Sequence, residues 1–292
     1  MQNAIQLILN SIFQIGVLAL TTVGMSLTFK TVYVVNFAQA ITSTVGAFMA
    51  AFLLRDAGFN AWTSMLGGVA ICFFLGYIMD NVIIRNIAGG SGRIMITIGL
   101  IVLITAAIPL VFGLNPFTFP RYFMGNLNFS FLGMDLYVSA NALFVFLLSA
   151  VVIGIIFLAL RFTKWGLGVR GTASNKVVAS MMGVNTDLMT ALSWGISSAC
   201  GALAAVLYAS QTSLVSVTML ATVLANSLLA FIVGGYNSFY GPAIGAALIP
   251  VLLVFLAMID GLWANGMMYI LVMLFILVRP TGLFGTKTRK KV

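Results

Sequence analysis

The chain has 292 residues, of which 62% are hydrophobic and 7% charged, and its formal net charge is +9. Soluble globular chains carry about 25% charged residues, so this composition excludes an ordinary soluble domain and describes a polytopic membrane protein. All five acidic residues are aspartates (Asp56, Asp80, Asp135, Asp187 and Asp260), with no glutamate and no histidine, which excludes a Ser-His-Asp triad, a histidine general base and a histidine-ligated metal. No catalytic residue, cofactor or metal is therefore expected.

The N-terminus, MQNAIQLILN, has no positive region ahead of its apolar stretch and reads as a retained first span rather than a cleaved signal. Apolar segments fall at 5–28, 33–54, 62–84, 94–113, 137–160, 189–209, 219–235, 240–259 and 264–278. A helical crossing takes about 20 apolar residues. The expected fold is all-α, a single transmembrane domain over 1–292 with about nine (8–10) membrane helices. The second segment opens YVVNFAQAITSTV (33–45), whose Asn36, Gln39, Thr42, Ser43 and Thr44 are costly to expose to lipid. This predicts one broken or re-entrant element facing the interior. The short last segment, 264–278, has to be tilted or held by neighbours. Cys72 and Cys200 lie inside apolar runs and read as small apolar residues.

With the N-terminus outside, the cytoplasmic side receives Lys30, Arg85, Arg93, Arg161, Lys164, Arg170, Lys176, Arg279, Lys287, Arg289, Lys290 and Lys291, leaving only Arg55 and Arg121 outside. Basic residues are retained on the cytoplasmic side of membranes, so the N-terminus is expected outside and the C-terminus in the cytoplasm. Apart from the terminal KTRKK (287–291), these residues are scattered between apolar segments, which points to membrane lipid and not to nucleic acid. Asp80, five residues before Arg85, reads as locally paired or solvated rather than as a proton relay.

Two loops stand out. The cytoplasmic one, 161–188, holds a short helix that Ser174 or Asn175 caps and Gly183 ends, and a bland loop would need no such helix. The external one, 114–136, is rich in Phe and Tyr. It reads either as an interfacial aromatic belt or as a docking surface on the outer side, with Arg121 and Asp135 available for charge pairing. A faint echo between 36–54 and 237–255 suggests an inverted repeat.

The stretch GLGVRGTASNKVVASMMGVNTD, followed by a Gly/Ala-rich helix, resembles the cytoplasmic loop of bacterial ABC-transporter permeases for branched-chain amino acids (LivH/LivM-like). Gly166, Arg170, Asn175, Ala179, Gly183 and Asn185 stand at that pattern's positions, with Val184 for the usual Ile. VVNFAQA (34–40), RIMITIGLIVLI (93–104), VGGYNSFYGPAIGAALI (233–249) and LVRPTGLFG (277–285) match further family motifs in order. Gln39, Ala40, Asn237 and Phe239 depart from them. The resemblance implies a permease subunit of an ATP-driven importer in the bacterial cytoplasmic (inner) membrane. It would pair with a second permease subunit, two ABC ATPase subunits and an extracytoplasmic solute-binding protein. The short helix, Asn175 to Met182, would dock on the ATPase, with 170–187 acting as a lever. No phosphate-binding loop of the GxxxxGK[ST] type occurs in the chain, so ATP hydrolysis is expected in the partners.

Asn36, Gln39, Thr42 and Ser43, with Asn226 and Ser227 in the seventh segment, are the candidates for the translocation path. Uncharged amides and hydroxyls let a small polar solute pass without trapping it, although the same groups also serve as hydrogen bonds between helices. Branched-chain or related amino acids are the expected cargo. Urea or other small amides, and an ion-coupled secondary transporter, are the alternatives.

Overall fold

In a computed structural model, which describes residues 2–87, 89–131 and 134–285, the chain is helical almost throughout. The helices α1 (Gln2–Asn10), α2 (Ile12–Val32), α3 (Gln39–Arg55) and α4 (Ala61–Ile78) come first; α4 continues as a π-helical turn, Met79–Ile84. Then follow α5 (Gly90–Phe112), strands β1 (Phe117–Thr118), β2 (Asn126–Phe131) and β3 (Met134–Ser139), and α6 (Ala140–Phe162). The rest is α7 (Lys164–Ser174), α8 (Lys176–Met181), α9 (Thr186–Thr212), β4 (Leu214–Val215), α10 (Ala221–Gly234), α11 (Gly241–Ile259) and α12 (Ala264–Val278). Among the described residues, six helices are long and apolar enough to cross a membrane: α2, α4 with its π turn, α5, α6, α9 and α11. The apolar helices α3, α10 and α12 are shorter.

Residue size sorts these helices into centre and periphery. In α2 and α9, 72% and 83% of the most apolar stretch is buried, against 17% in α5. α9 reads WGISSACGALAA over 194–205, and such small side chains let neighbouring backbones come close. A Cβ placed on Gly76 of α4 would lie 2.6 Å from the Trp194 carbonyl oxygen, and one on Gly46 of α3 would lie 2.8 Å from Cys72 Sγ. The outer helices instead present large aliphatic side chains such as Val102, Leu110, Ile155, Leu158 and Leu277. In water that surface would be a liability; against lipid tails it is the natural contact.

Two sets of contacts define the two ends of the bundle. At one end Lys30 Nζ donates to the Asn237 carbonyl, Tyr33 Oη donates to the Ala173 carbonyl, and the Leu283 and Phe284 amides bond the Val233 and Gly234 carbonyls. At the other end β1 pairs antiparallel with β4, Phe117 opposite Val215, and β2 with β3 forms a hairpin. Gln6 of α1 docks on that hairpin, its side chain donating to the Tyr137 carbonyl and accepting from the Tyr137 amide. Beside it Tyr122 packs 4.7 Å from Trp62, centroid to centroid, and donates its hydroxyl to the Ala61 carbonyl. Burial pushes the Tyr122 phenol above its ordinary value.

Several expectations shift in detail. The first apolar segment is two helices, α1 and α2, interrupted at Ser11. The 114–136 segment is a folded cap with strands, its Phe117 and Phe119 buried and its Phe123 and Phe129 exposed. Residues 137–139, expected to begin a helix, belong to β3. The 161–188 loop holds a second helix, α7, ahead of the anticipated one. The break in the second segment falls before its helix, at 33–38. Tyr33 takes a left-handed conformation (φ 55°) that ends α2, and Asn36 Oδ1 accepts the Ala38 amide to turn the chain into α3. The two echoing stretches, 36–54 and 237–255, both leave a turn at the Lys30–Asn237 end, so α2–α3 and α10–α11 run in the same sense and are not inverted. Of the expected cytoplasmic basic residues, Lys287, Arg289, Lys290 and Lys291 lie outside the described residues.

Candidate functional site

Two arrangements in this fold have functional shape. The first is the α7–α8–α9 corner. Thr163 caps α7 by accepting the Gly166 amide at 3.1 Å. Asn175 then ends α7 and starts α8, its Oδ1 accepting the Val177 and Val178 amides at 3.0 and 3.1 Å. Gly183, at φ +84°, stops α8: its amide bonds the Ser180 carbonyl and the Val184 amide bonds the Ala179 carbonyl, both at 3.0 Å. This is the paired-bond stop that a left-handed residue makes possible. Two residues on, Asn185 Oδ1 accepts the Leu188 amide and caps α9. One side-chain cap and one glycine thus define a six-residue helix that propensity alone would not hold.

Ala179 is buried on the side facing α7: a Cβ placed on Gly171 would lie 3.8 Å from the Ala179 methyl, and one on Gly168 would lie 3.6 Å from Val184 Cγ1. The opposite face is open: Val177, Val178, Met181 and Met182 are exposed, the last two about 80% so. An exposed apolar ridge on a braced helix is suited to docking a protein partner. Arg170 does a different job. Its Nε and Nη2 reach the Gly166 and Arg161 carbonyls, each at 3.4 Å, and it braces the α6–α7 corner instead of contributing to the ridge.

The second arrangement is a polar seam inside the bundle. Gln39 Nε2 donates to the Thr21 carbonyl at 2.9 Å, and Thr21 Oγ1 meets Ser227 Oγ at 2.6 Å. Thr21 therefore joins α2 to both α3 and α10. Thr42 and Ser43 spend their hydroxyls on the Gln39 carbonyl of their own helix, and Asn36 is occupied by its turn. The buried oxygens Gln39 Oε1, Asn226 Oδ1, Thr22 Oγ1, Ser26 Oγ and Ser197 Oγ have no protein hydrogen-bond partner. Leaving such a group unpaired costs about 1–3 kcal/mol. Five of them on α2, α3, α9 and α10 mark the seam as the polar part of the interior.

Asn226 also lines a cavity of about 340 Å³ shared with Gln14, Tyr208, Thr222, Pro250 and Asn265, with no charged side chain among its lining. Pro250 interrupts α11 here, since it has no amide to give to the Ala246 carbonyl. The structure thus brings Gln39 and Ser227 together through Thr21, sets Asn226 beside a cavity, and leaves Asn36, Thr42 and Ser43 in local roles. The sequence reading missed Thr21, Thr22, Ser26 and Ser197. Their signal was present as hydroxyls inside strongly apolar runs, LALTTVGMSLT and GISSACG.

Comparison with known proteins gives this geometry a context. Residues 7–277 match the family described as branched-chain amino acid transport system, permease component. The high-affinity branched-chain amino acid transport system permease protein BraD of Pseudomonas aeruginosa is 25% identical, over 94% of this chain and 93% of its own. A probable branched-chain amino acid transport permease protein LivH of Methanocaldococcus jannaschii is also 25% identical, over 94% and 90%. The LivH permease of Salmonella typhimurium is 23% identical, over 94% and 93%. No solved structure matches the chain.

Proposed function

The chain belongs to the family of branched-chain amino acid transport system permease components, and from that premise we propose that it is the permease subunit of an ATP-driven importer. The cargo is a branched-chain or related amino acid delivered by an extracytoplasmic solute-binding protein. A second permease subunit, itself or a paralogue, completes the path, and two ABC ATPases drive it from the cytoplasm. The membrane is the bacterial cytoplasmic (inner) membrane. Nine crossings, six long helices and α3, α10 and α12, carry the chain from an external N-terminus to a cytoplasmic C-terminus. That puts the Lys30–Asn237 end, with α7 and α8, inside.

In this reading Asn175, Gly183, Val184 and Asn185 shape the α8 corner that fits the ATPase, Ala179 seats it on α7, and Arg170 braces its base. Gln39, Ser227 and Asn226 belong to the path, with Asn36, Thr42 and Ser43 setting the backbone of its broken segment. The observation that carries the proposal is the family match over 7–277 together with the capped, apolar-faced α8 in its expected place. Reconstitution with the partner ATPases and binding protein tests it: ATP-dependent uptake of L-leucine is the expected result. Uptake that survives ATP depletion and follows a proton gradient would overturn it. Asp80 speaks against the ion-coupled alternative, because its carboxylate is engaged with Arg85 and Thr190. Transport of urea or small amides has one specific support, the wholly uncharged lining of the cavity at Asn226. Competition of leucine uptake by urea separates the two.

A further inference from the structure

Of the five aspartates Asp80 alone is buried, 2% exposed at the inner end of a membrane-length helix. A carboxylate persists there only when paired and hydrogen-bonded. Its Oδ2 lies 3.7 Å from Arg85 Nη2 and accepts the Thr190 hydroxyl at 3.3 Å. Arg85 Nη2 in turn donates to the Asp187 carbonyl at 3.1 Å, and the Asp187 carboxylate holds Lys176 Nζ at 3.1 Å. The result is a continuous chain of polar contacts from α4, through the first turn of α9, to the first residue of α8.

The backbone is built for this contact. In an α-helix, residues five apart point about 140° away from each other. The Arg85 amide instead bonds the Asp80 carbonyl at 3.0 Å, five residues back, in the π turn. That wider turn stacks Arg85 over Asp80. π turns are uncommon and collect at functional places. On the membrane side of this turn α4 is locked to α9, where Gly76 lies against Trp194. On the other side stands a cavity of about 130 Å³ lined by Thr31, Tyr33, Asp80, Arg85, Lys176 and Thr190, which gives the arginine room to change partners.

We infer that the Asp80–Arg85 pair is the joint through which displacement of α8 reaches the membrane helices α4 and α9. Both are positioning residues for energy coupling. The inference rests on the reading of α8 as the ATPase-docking helix. A shift of α8 pulls on Lys176 and Asp187, and the Asp187 backbone carries it to Arg85. Because Asp80 is fixed in the packed part of α4, the arginine either drags α4 along or lets go.

The test compares L-leucine uptake with ATP hydrolysis in proteoliposomes holding the complete transporter. Asp80→Asn and Arg85→Gln are expected to lower solute moved per ATP by about tenfold, within the usual range of coupling energies, while ATPase subunits remain bound. Arg85→Lys and the exchange Asp80→Arg/Arg85→Asp should each restore part of that ratio. Uptake and hydrolysis falling in proportion, or an unchanged ratio, would overturn the joint. If Asp80→Asn does not assemble, Thr190→Val keeps the carboxylate and the arginine and removes only the hydroxyl that lies between Asp80 and the Asp187 carbonyl. It should lower the ratio less, and no change there counts against the joint. Met181→Cys, cross-linked to the ATPase, keeps the two claims apart. No cross-link sinks the docking assignment; an intact cross-link with an unchanged ratio in Asp80→Asn sinks only the joint.

Discussion

The α8 corner depends on single atoms, and two of its residues make opposite demands on substitution. Asn175 supplies one oxygen to two amides at the start of a helix only six residues long. Loss of such a cap costs about 0.5–2 kcal/mol, a large share of what can hold one turn. Gly183 supplies a backbone conformation, φ +84°, with open space around its Cα. A side chain there is therefore opposed by backbone strain rather than by a clash, about 1–2 kcal/mol for an L-residue. Asn175→Ala and Gly183→Val are expected to weaken ATPase association in co-purification while leaving the membrane bundle folded. Gly183→Asn, which tolerates the left-handed region, should be the mildest change. These roles were legible in the sequence because cap and stop residues act locally. Arg170 was not, since whether an arginine reaches out or folds back on its own carbonyls depends on how α6 meets α7.

At the scale of elements the seam shows where sequence reading stops. Segments 240–259 and 264–278 were placed to within a residue, because apolar length is written directly in the chain. The hairpin of β2 and β3 and the helix α7 were not, because short polar stretches take their structure from what they pack on. The contact between α2 and α10 was equally hidden: Thr21 and Ser227 are 206 residues apart. Thr21 Oγ1 already donates toward the Val17 and Leu18 carbonyls of its own helix. With one hydrogen on each hydroxyl, either can be the donor across the 2.6 Å contact. Thr21→Val keeps the shape and leaves the Ser227 hydroxyl without its partner. Measured by thermal unfolding in detergent, a loss of about 1 kcal/mol is expected, in the range of interhelical hydrogen bonds in membranes. The double variant Thr21→Val/Ser227→Ala should recover much of it, because no hydroxyl is then left without its partner. A strictly additive double variant would mean that the two hydroxyls do not interact.

For the whole molecule, the strongest expectation from charge is orientation, and the fold supplies the points at which to measure it. The polar contacts at one end join Lys30, Tyr33, Arg85, Ala173, Asp187, Asn237 and Leu283, residues from six stretches of the chain. The other end gathers Arg55, the β1–β4 pair and the hairpin. Retention of basic residues on the cytoplasmic side predicts that the first end is inside. Because all these stretches are tied to one another, the orientation is all or none: no single loop can lie on the wrong side without breaking the packing of the rest. Native Cys72 and Cys200 are both buried, so they give little background to a thiol reagent. Met124 and Met181 are 87% and 81% exposed, at opposite ends of the bundle. In intact cells a membrane-impermeant maleimide should label Met124→Cys and spare Met181→Cys, and permeabilisation should open the second. Labelling of Met181→Cys from outside would reverse the bundle and move α8 away from any cytoplasmic ATPase. Labelling of both in intact cells would contradict an all-or-none orientation of the bundle.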